Sequence, residues 1–176
     1  MQRQKAAWLL KGRPIDVVFL PALTICGGKL LAAQGRGTEV HAGSFIRKRR
    51  IVLDSGLLKD QRELERILRH EIFHFAWPRL GNSVRSTYER LILAEWHGCV
   101  PGELGWSAEW RKDALRGVAS PLQTKLWREY LCESFCDTGA WRLQGGSHRE
   151  FTLPLPSRRL RRLWWDEHFG GRPIPI

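Results

Sequence analysis

The chain has 176 residues, which is the size of one domain and enough to bury a hydrophobic core. Hydrophobic residues make up 43% of it and charged residues 27%, a composition that excludes a largely disordered protein. The formal net charge of +11 predicts a positive field that could attract nucleic acid, an anionic membrane surface or an acidic protein. No stretch approaches the roughly 18 apolar residues of a membrane span and no signal-peptide pattern occurs, so we expect a cytoplasmic protein.

The N-terminal third is predicted to be rich in β-structure. Residues 1–12 could form a short helix, whereas residues 15–20 are mostly β-branched or aromatic, which is typical of a strand. Residues 39–46 and 50–53 are two further extended segments on either side of a short basic turn. This pattern predicts a hairpin.

Helices are predicted for most of the remaining chain. Asp60 followed by Glu63 is a capping-box arrangement, in which two carboxylates satisfy free backbone amides where a helix begins, and Pro78 ends that helix. Further helices are predicted at residues 83–96, 107–115, 120–143 and 157–168. The chain is therefore expected to be a single α+β domain over residues 1–176, with a small N-terminal β-rich part at 13–56 and a mostly helical part at 57–170.

The first long helix carries the pattern His-Glu-x-x-His at residues 70–74. Positions four apart project from the same face of a helix, so His70 and His74 can both bind one Zn²⁺ at about 2.0–2.1 Å. Glu71 would lie beside the metal, where it can act as general base toward a zinc-bound water. The alternative is that the two histidines lie on a solvated face or form a buried pair without a metal.

A third protein ligand is expected from the helix predicted at residues 120–143. Glu129, Glu133 and Asp137 follow one another at intervals of four, among apolar residues. We select Glu133 as the third metal ligand and keep Glu129 as the alternative. Asp137, one turn after Glu133, would orient a ligand histidine through its other ring nitrogen.

At these residues the chain resembles the gluzincins, zincin metallopeptidases whose third ligand is a glutamate on a helix downstream of the His-Glu-x-x-His helix. The matching residues are His70, Glu71 and His74, followed by Glu133 and Asp137. The resemblance implies a zincin-like fold in which a peptide substrate binds as an added strand at a sheet edge above the metal. Residues 39–46 or 50–53 would form that edge, and residues 79–120 would be an insert with extra helices.

A second resemblance is to the SprT-like metalloproteases, which carry the same first motif and a later histidine as third ligand. Residues 105–112 look like the segment that holds this histidine, but Trp106 stands at its position. His97 is another candidate for the ligand. The resemblance implies a protease that acts near DNA, which would agree with the positive charge of the chain.

We therefore expect a zinc-dependent metallopeptidase that hydrolyses peptide bonds and whose partner is a peptide or protein substrate. The alternative is a catalytically weak zincin scaffold that acts as a sensor or as a basic, nucleic-acid-associated binding protein. The group that stabilises the oxyanion is left open. The candidates are Tyr88, Tyr130, His97, His148 and Arg142.

The four cysteines show no Cys-x-x-Cys spacing, although Cys132 and Cys136 lie four apart and share a helix face. We interpret all four as small buried apolar side chains rather than as metal ligands or redox groups.

Overall fold

The computed structural model describes residues 9–27, 29–32, 37–118, 121–122 and 124–176. Within these residues, short N-terminal strands are followed by five α-helices, which confirms the predicted α+β fold class. The strands are β1 (Leu10–Lys11), β2 (Asp16–Leu20), β3 (Leu23–Cys26), β4 (Lys29–Ala32), β5 (Thr38–Glu39), β6 (Ala42–Phe45), β7 (Arg50–Asp54) and β8 (Ile174–Pro175). The helices are α1 (Gln61–Ala76), α2 (Asn82–His97), α3 (Trp106–Arg116), α4 (Lys125–Gln144) and α5 (Leu155–Phe169).

The sheet nearest to the candidate site has three strands in the order β2-β7-β6. β2 is parallel to β7, and β6 is antiparallel to β7 with Ser44 opposite Ile51, so the predicted hairpin is confirmed and β6 lies at an edge. Its turn is a short 3₁₀ segment that ends at Arg49 in the left-handed region, with φ of 52°. A second, antiparallel sheet has the order β4-β3-β5.

The helix predicted for residues 1–12 is wrong at its C-terminal end. Leu10 and Lys11 form β1, which pairs in parallel with β8 near the C-terminus of the chain. This long-range pairing overrides the local helical pattern. Residues 1–8 lie outside the described residues.

α1 begins at the predicted cap. The side chain of Asp60 accepts hydrogen bonds from the backbone amides of Arg62 and Glu63, both at 3.1 Å, which satisfies two amides that lack partners within the helix. The second half of the predicted capping box does not form, because the amide of Asp60 donates to Leu57 O and Glu63 pairs with Arg66.

α1 lies between the sheet and the other helices and packs against both. On one side Ile67 and Phe75 join Ile51 of β7 in a buried apolar cluster. On the other side the ring of Phe73 contacts that of Trp165 on α5, with centroids 5.2 Å apart. Each such side chain contributes about 1.5–3 kcal/mol when it is buried, so α1 is held on two faces.

The close approach of α4 to α1 depends on Gly139. A Cβ atom at this position would lie 2.5 Å from ring carbons of Phe73, closer than real contacts allow. Glycine inside a helix costs roughly 1 kcal/mol relative to alanine, but here it lets the two helices meet. This contact brings Glu133 and Asp137 next to the histidines of α1.

The predicted start of α4 at residues 120–121 is wrong. The helix begins at Lys125, and Thr124 caps it by accepting a hydrogen bond from the amide of Trp127 at 3.0 Å. Pro121 precedes the helix, and Thr124 Oγ1 donates to its carbonyl oxygen. Ser120 lies outside the described residues.

A buried ion network joins the segment before α3 to the other helices. Arg161 on α5 contacts Glu95 at 2.6 Å and Glu103 at 2.7 Å, and Lys112 on α3 contacts Glu103 at 3.2 Å. Burial acts to raise the pKa of Glu103, but the charges of Arg161 and Lys112 outweigh it and lower this pKa. Because breaking a buried ion pair is strongly destabilising, the network holds α3 firmly in place.

Across the described residues, no helix combines the length and the apolar composition that a transmembrane segment requires.

Candidate metal centre

The two imidazoles of the His-Glu-x-x-His pattern face each other on successive turns of α1. His70 Nε2 and His74 Nε2 are 3.1 Å apart. Two nitrogen lone pairs at this distance repel each other unless a proton or a metal ion lies between them.

Each imidazole is oriented from behind by a bond to its Nδ1. Nδ1 of His70 donates to Oδ1 of Asp137 at 2.7 Å, the contact that the predicted orienting role of this carboxylate requires. Nδ1 of His74 lies 3.6 Å from Sγ of Cys132, a distance at which it donates a hydrogen bond to sulfur. With Nδ1 protonated on both rings, each Nε2 is left free to bind a metal ion.

Glu133 completes the group. Its Oε2 lies 3.2 Å from Nε2 of His70 and 3.7 Å from Nε2 of His74. Ligands about 2.0–2.1 Å from a tetrahedral Zn²⁺ are separated by roughly 3.3 Å, so the spacings among the three atoms suit one ion. Among the described residues, this buried oxygen has no hydrogen-bond partner, which is costly unless a cation satisfies it.

The second oxygen of Glu133 is held by a residue that the sequence analysis did not select. Nη2 of Arg111 on α3 lies 3.3 Å from Oε1 of Glu133. Burial acts to raise the pKa of Glu133, but the nearby His70 imidazole and the charges of His74 and Arg111 lower it strongly. Glu133 is therefore an anion, the form that binds a metal.

Glu129, the alternative third ligand, does not join this group. Its carboxylate lies 3.5 Å from Nζ of Lys125, and its side chain is 42% exposed. One helical turn away from Glu133, it faces solvent.

Glu71 lies beside the histidines and is held by the edge strand. Its carboxylate is buried, and its Oε2 accepts a hydrogen bond of 2.6 Å from Oγ of Ser44 on β6. Ligand atoms of His70, Glu71 and His74 lie within 4.8 Å of one another. Ser44 is separated from Glu71 by 27 residues, and no local pattern marks it in the sequence.

The N-terminal turn of α3 positions Asp137. The amide of Ala108 donates to Oδ2 of Asp137 at 3.3 Å, which leaves Oδ1 for His70. A Cβ atom at Gly105 would lie 2.4 Å from the carboxyl carbon of Asp137. The φ of Gly105 is −177°, which any residue adopts, so the need for glycine comes from this close approach alone.

We expect Gly105→Ala to weaken metal binding about 10- to 100-fold, because the added methyl group pushes the Asp137 carboxylate off His70. The fold should persist, since a side-chain end can move more easily than the backbone. Metal affinity measured by competition with a chromogenic chelator would check this, with the unfolding transition recorded alongside. Wild-type affinity in the alanine variant would contradict the orienting role of Asp137.

Both imidazoles favour protonation when no metal is bound. Burial acts to lower the pKa of His70, but Asp137 and Glu133 outweigh it and raise this pKa well above its ordinary value. Burial acts against protonation of His74 as well, yet Cys132 and Glu133 help to raise its pKa to about 9.

Metal binding should therefore release protons. Ligand histidines must be neutral, so an ion that binds at pH 7 should displace about one to two protons from the pair. The affinity for Zn²⁺ should therefore rise as the pH increases from 7 to about 9, where His74 of the metal-free protein loses its proton. Calorimetric titration in buffers of different ionisation enthalpy measures this release. Binding that is independent of pH would exclude the two histidines as ligands.

The candidates for oxyanion stabilisation lie elsewhere. The hydroxyls of Tyr88 and Tyr130 are buried and bonded to Ser134 and Glu103 respectively. The other three candidates face solvent or form ion pairs with other residues. His97 is exposed at the end of α2, His148 contacts Glu63, and Arg142 contacts Asp166.

The segment that resembles the SprT-like proteases does lie next to the site, as α3. The Trp106 side chain is 64% exposed, and the carboxylate of Glu133 from α4 faces the histidine pair instead. His97 is exposed and is not one of the candidate ligand atoms described above.

Comparisons of the chain with family models, with curated proteins and with solved structures gave no match. The functional assignment therefore depends on the geometry of the site.

Proposed function

We propose that this protein is a zinc-dependent, gluzincin-like metallopeptidase in which His70, His74 and Glu133 hold the metal and Glu71 is the general base. The observation that carries the proposal is the convergence of two Nε2 atoms and one carboxylate oxygen within 3.1 to 3.7 Å of one another. Two imidazoles and a glutamate are an established ligand set for catalytic zinc.

The chain's own residues would divide the work of hydrolysis. When bound, zinc would supply a Lewis acid that lowers the pKa of water and polarises the peptide carbonyl. Glu71 would accept the proton of the attacking water and deliver it to the departing amine, while Ser44 holds its carboxylate in position. Asp137 and Cys132 would keep the two imidazoles in the required tautomer.

The surroundings favour an extended peptide as substrate. β6 is an edge strand of its sheet and is linked directly to Glu71 through Ser44, so a substrate could pair with it as an added strand. On the other side, Trp106 and Trp110 are 64% and 40% exposed, and the guanidinium of Arg111 lies 4.3 Å from the ring of Trp110. Exposed indoles beside the site could bind apolar side chains of an unfolded chain.

Incubation of the zinc-loaded protein with an unfolded protein substrate tests the proposal. Fragments should accumulate, chelation should stop their formation, and added zinc should restore it. Bound zinc without any cleavage, together with salt-dependent affinity for DNA, would instead favour the catalytically weak, nucleic-acid-associated scaffold. A cytoplasmic location stays a prediction.

A further inference from the structure

Two thiols of α4 lie close to His74. Cys132 and Cys136 occupy successive turns of α4; the first is partly buried and the second fully buried. A ring nitrogen of His74 and the two Sγ atoms all lie within 4.8 Å of one another, and Nδ1 is the nitrogen that lies 3.6 Å from Sγ of Cys132. Cys136 is buried as the sequence analysis expected, whereas Cys132 also makes a polar contact with His74. Cys26 and Cys99, the other two cysteines, are exposed rather than buried.

We propose that His74 Nδ1, Cys132 Sγ and Cys136 Sγ form a second, inhibitory metal site that takes a thiophilic ion such as Cd²⁺. Two thiolates and an imidazole are soft ligands, and such a set selects thiophilic ions over hard ones. The inhibition rests on the proposed peptidase function, whereas binding at this site does not.

The distances support a shared ion. In a tetrahedral zinc site, a sulfur ligand at about 2.3 Å and a nitrogen ligand at about 2.0–2.1 Å from the ion are roughly 3.6 Å apart. Cys132 Sγ and His74 Nδ1 are 3.6 Å apart, so these two atoms already have the required spacing. Cys136, one turn further along the same helix face, brings its sulfur within reach of both.

The two sites compete because they use opposite nitrogens of one imidazole. In the first site, Nδ1 of His74 keeps its proton, donates it to Cys132 and leaves Nε2 for the metal. An ion at the thiol site binds Nδ1, and protons carried by the two thiols are released to solvent. The imidazole stays neutral because the proton lost from Nδ1 is replaced by one taken up at Nε2. Protonated Nε2 can no longer bind a metal, so the first site loses one of its three ligands.

Titration with Cd²⁺ tests binding without any need for catalysis. In a Cys26→Ser, Cys99→Ser background, Cd²⁺ should produce thiolate-to-metal charge-transfer absorption in the ultraviolet. Cys136→Ala and Cys132→Ala should each lose most of this absorption. Cys132 is only partly buried, so its variant serves as the second test if Cys136→Ala fails to fold. Glu133→Gln, which keeps the volume of the side chain, should keep the absorption, because Glu133 belongs only to the first site. Undiminished absorption in both cysteine variants, or its loss in Glu133→Gln, overturns the proposal.

The inhibition is tested on the zinc-loaded protein in the same background. Cd²⁺ should inhibit peptide cleavage, and Cys136→Ala should cleave as before but lose the thiol-dependent part of this inhibition. Equal inhibition of both proteins would overturn the competition. If no cleavage occurs with zinc alone, the proposed function fails while the charge-transfer titration still decides whether the second site exists.

Discussion

Glu71→Gln should retain zinc and reduce kcat for peptide cleavage about 10²- to 10⁴-fold, the usual contribution of a positioned general base. Glutamine has the same shape, and its amide oxygen can still accept the hydrogen bond of Ser44, so the local structure should persist. An amide cannot accept the proton of the attacking water at neutral pH. Cleavage kinetics together with the zinc content of the same preparation would measure both effects.

Glu65→Gln is the matched control for this variant. It removes one carboxylate from the same helix, but Glu65 is 45% exposed and forms an ion pair of 2.6 Å with Arg69. Its cleavage rate should equal that of the wild type. A Glu71→Gln variant that cleaves as fast as the control would show that the proposed mechanism is wrong.

Ser44 supports Glu71 but cannot take over its role in the Glu71→Gln variant. Its hydroxyl orients the carboxylate without being able to replace it as a base. Ser44 would therefore hold the carboxylate of Glu71 in position, and Glu71 would transfer the proton. Through this hydrogen bond the edge strand would contribute to the proposed reaction.

Local signals in the sequence were sufficient for the part of the site that lies on one helix. Asp60 marks the beginning of α1, and the spacing of His70 and His74 places both rings on one face. The acids of α4 could be selected because they lie among apolar residues at helical spacing. The structure brings Glu133 and Asp137 to the histidines and leaves Glu129 in solvent.

The rest of the site depends on contacts between distant segments, which periodicity cannot reveal. Ser44 reaches Glu71 only because β6 packs along α1, and Gly105 is required only because α3 approaches Asp137. Cys132 shows the same limit, since its spacing from Cys136 was visible but its contact with His74 was not. The sheet formed by β4, β3 and β5 was missed for a similar reason, because its pairing depends on register rather than on composition.

The third ligand separates the candidate metal centre from a mere pair of buried histidines. Glu133→Ala should weaken zinc binding by more than about 100-fold, because loss of a ligand should exceed the 10- to 100-fold effect of losing an outer partner. Glu129→Ala is the matched control on the same helix and should bind zinc as the wild type does. Zinc stoichiometry and affinity of the two purified variants would measure the difference.

Glu133→Gln guards against loss of the fold, since truncation leaves Arg111 and the two imidazoles without their shared anion. Glutamine fills the same volume but offers a neutral and weaker ligand, so it should fold and still bind zinc poorly. In the absence of metal, the two histidines should also titrate differently in the variants than in the wild type. Without the carboxylate, the pKa of His70 and that of His74 should both fall, because Glu133 helps to raise each of them. Wild-type affinity in Glu133→Gln with unchanged histidine titration would mean that this carboxylate neither faces the imidazoles nor binds the ion.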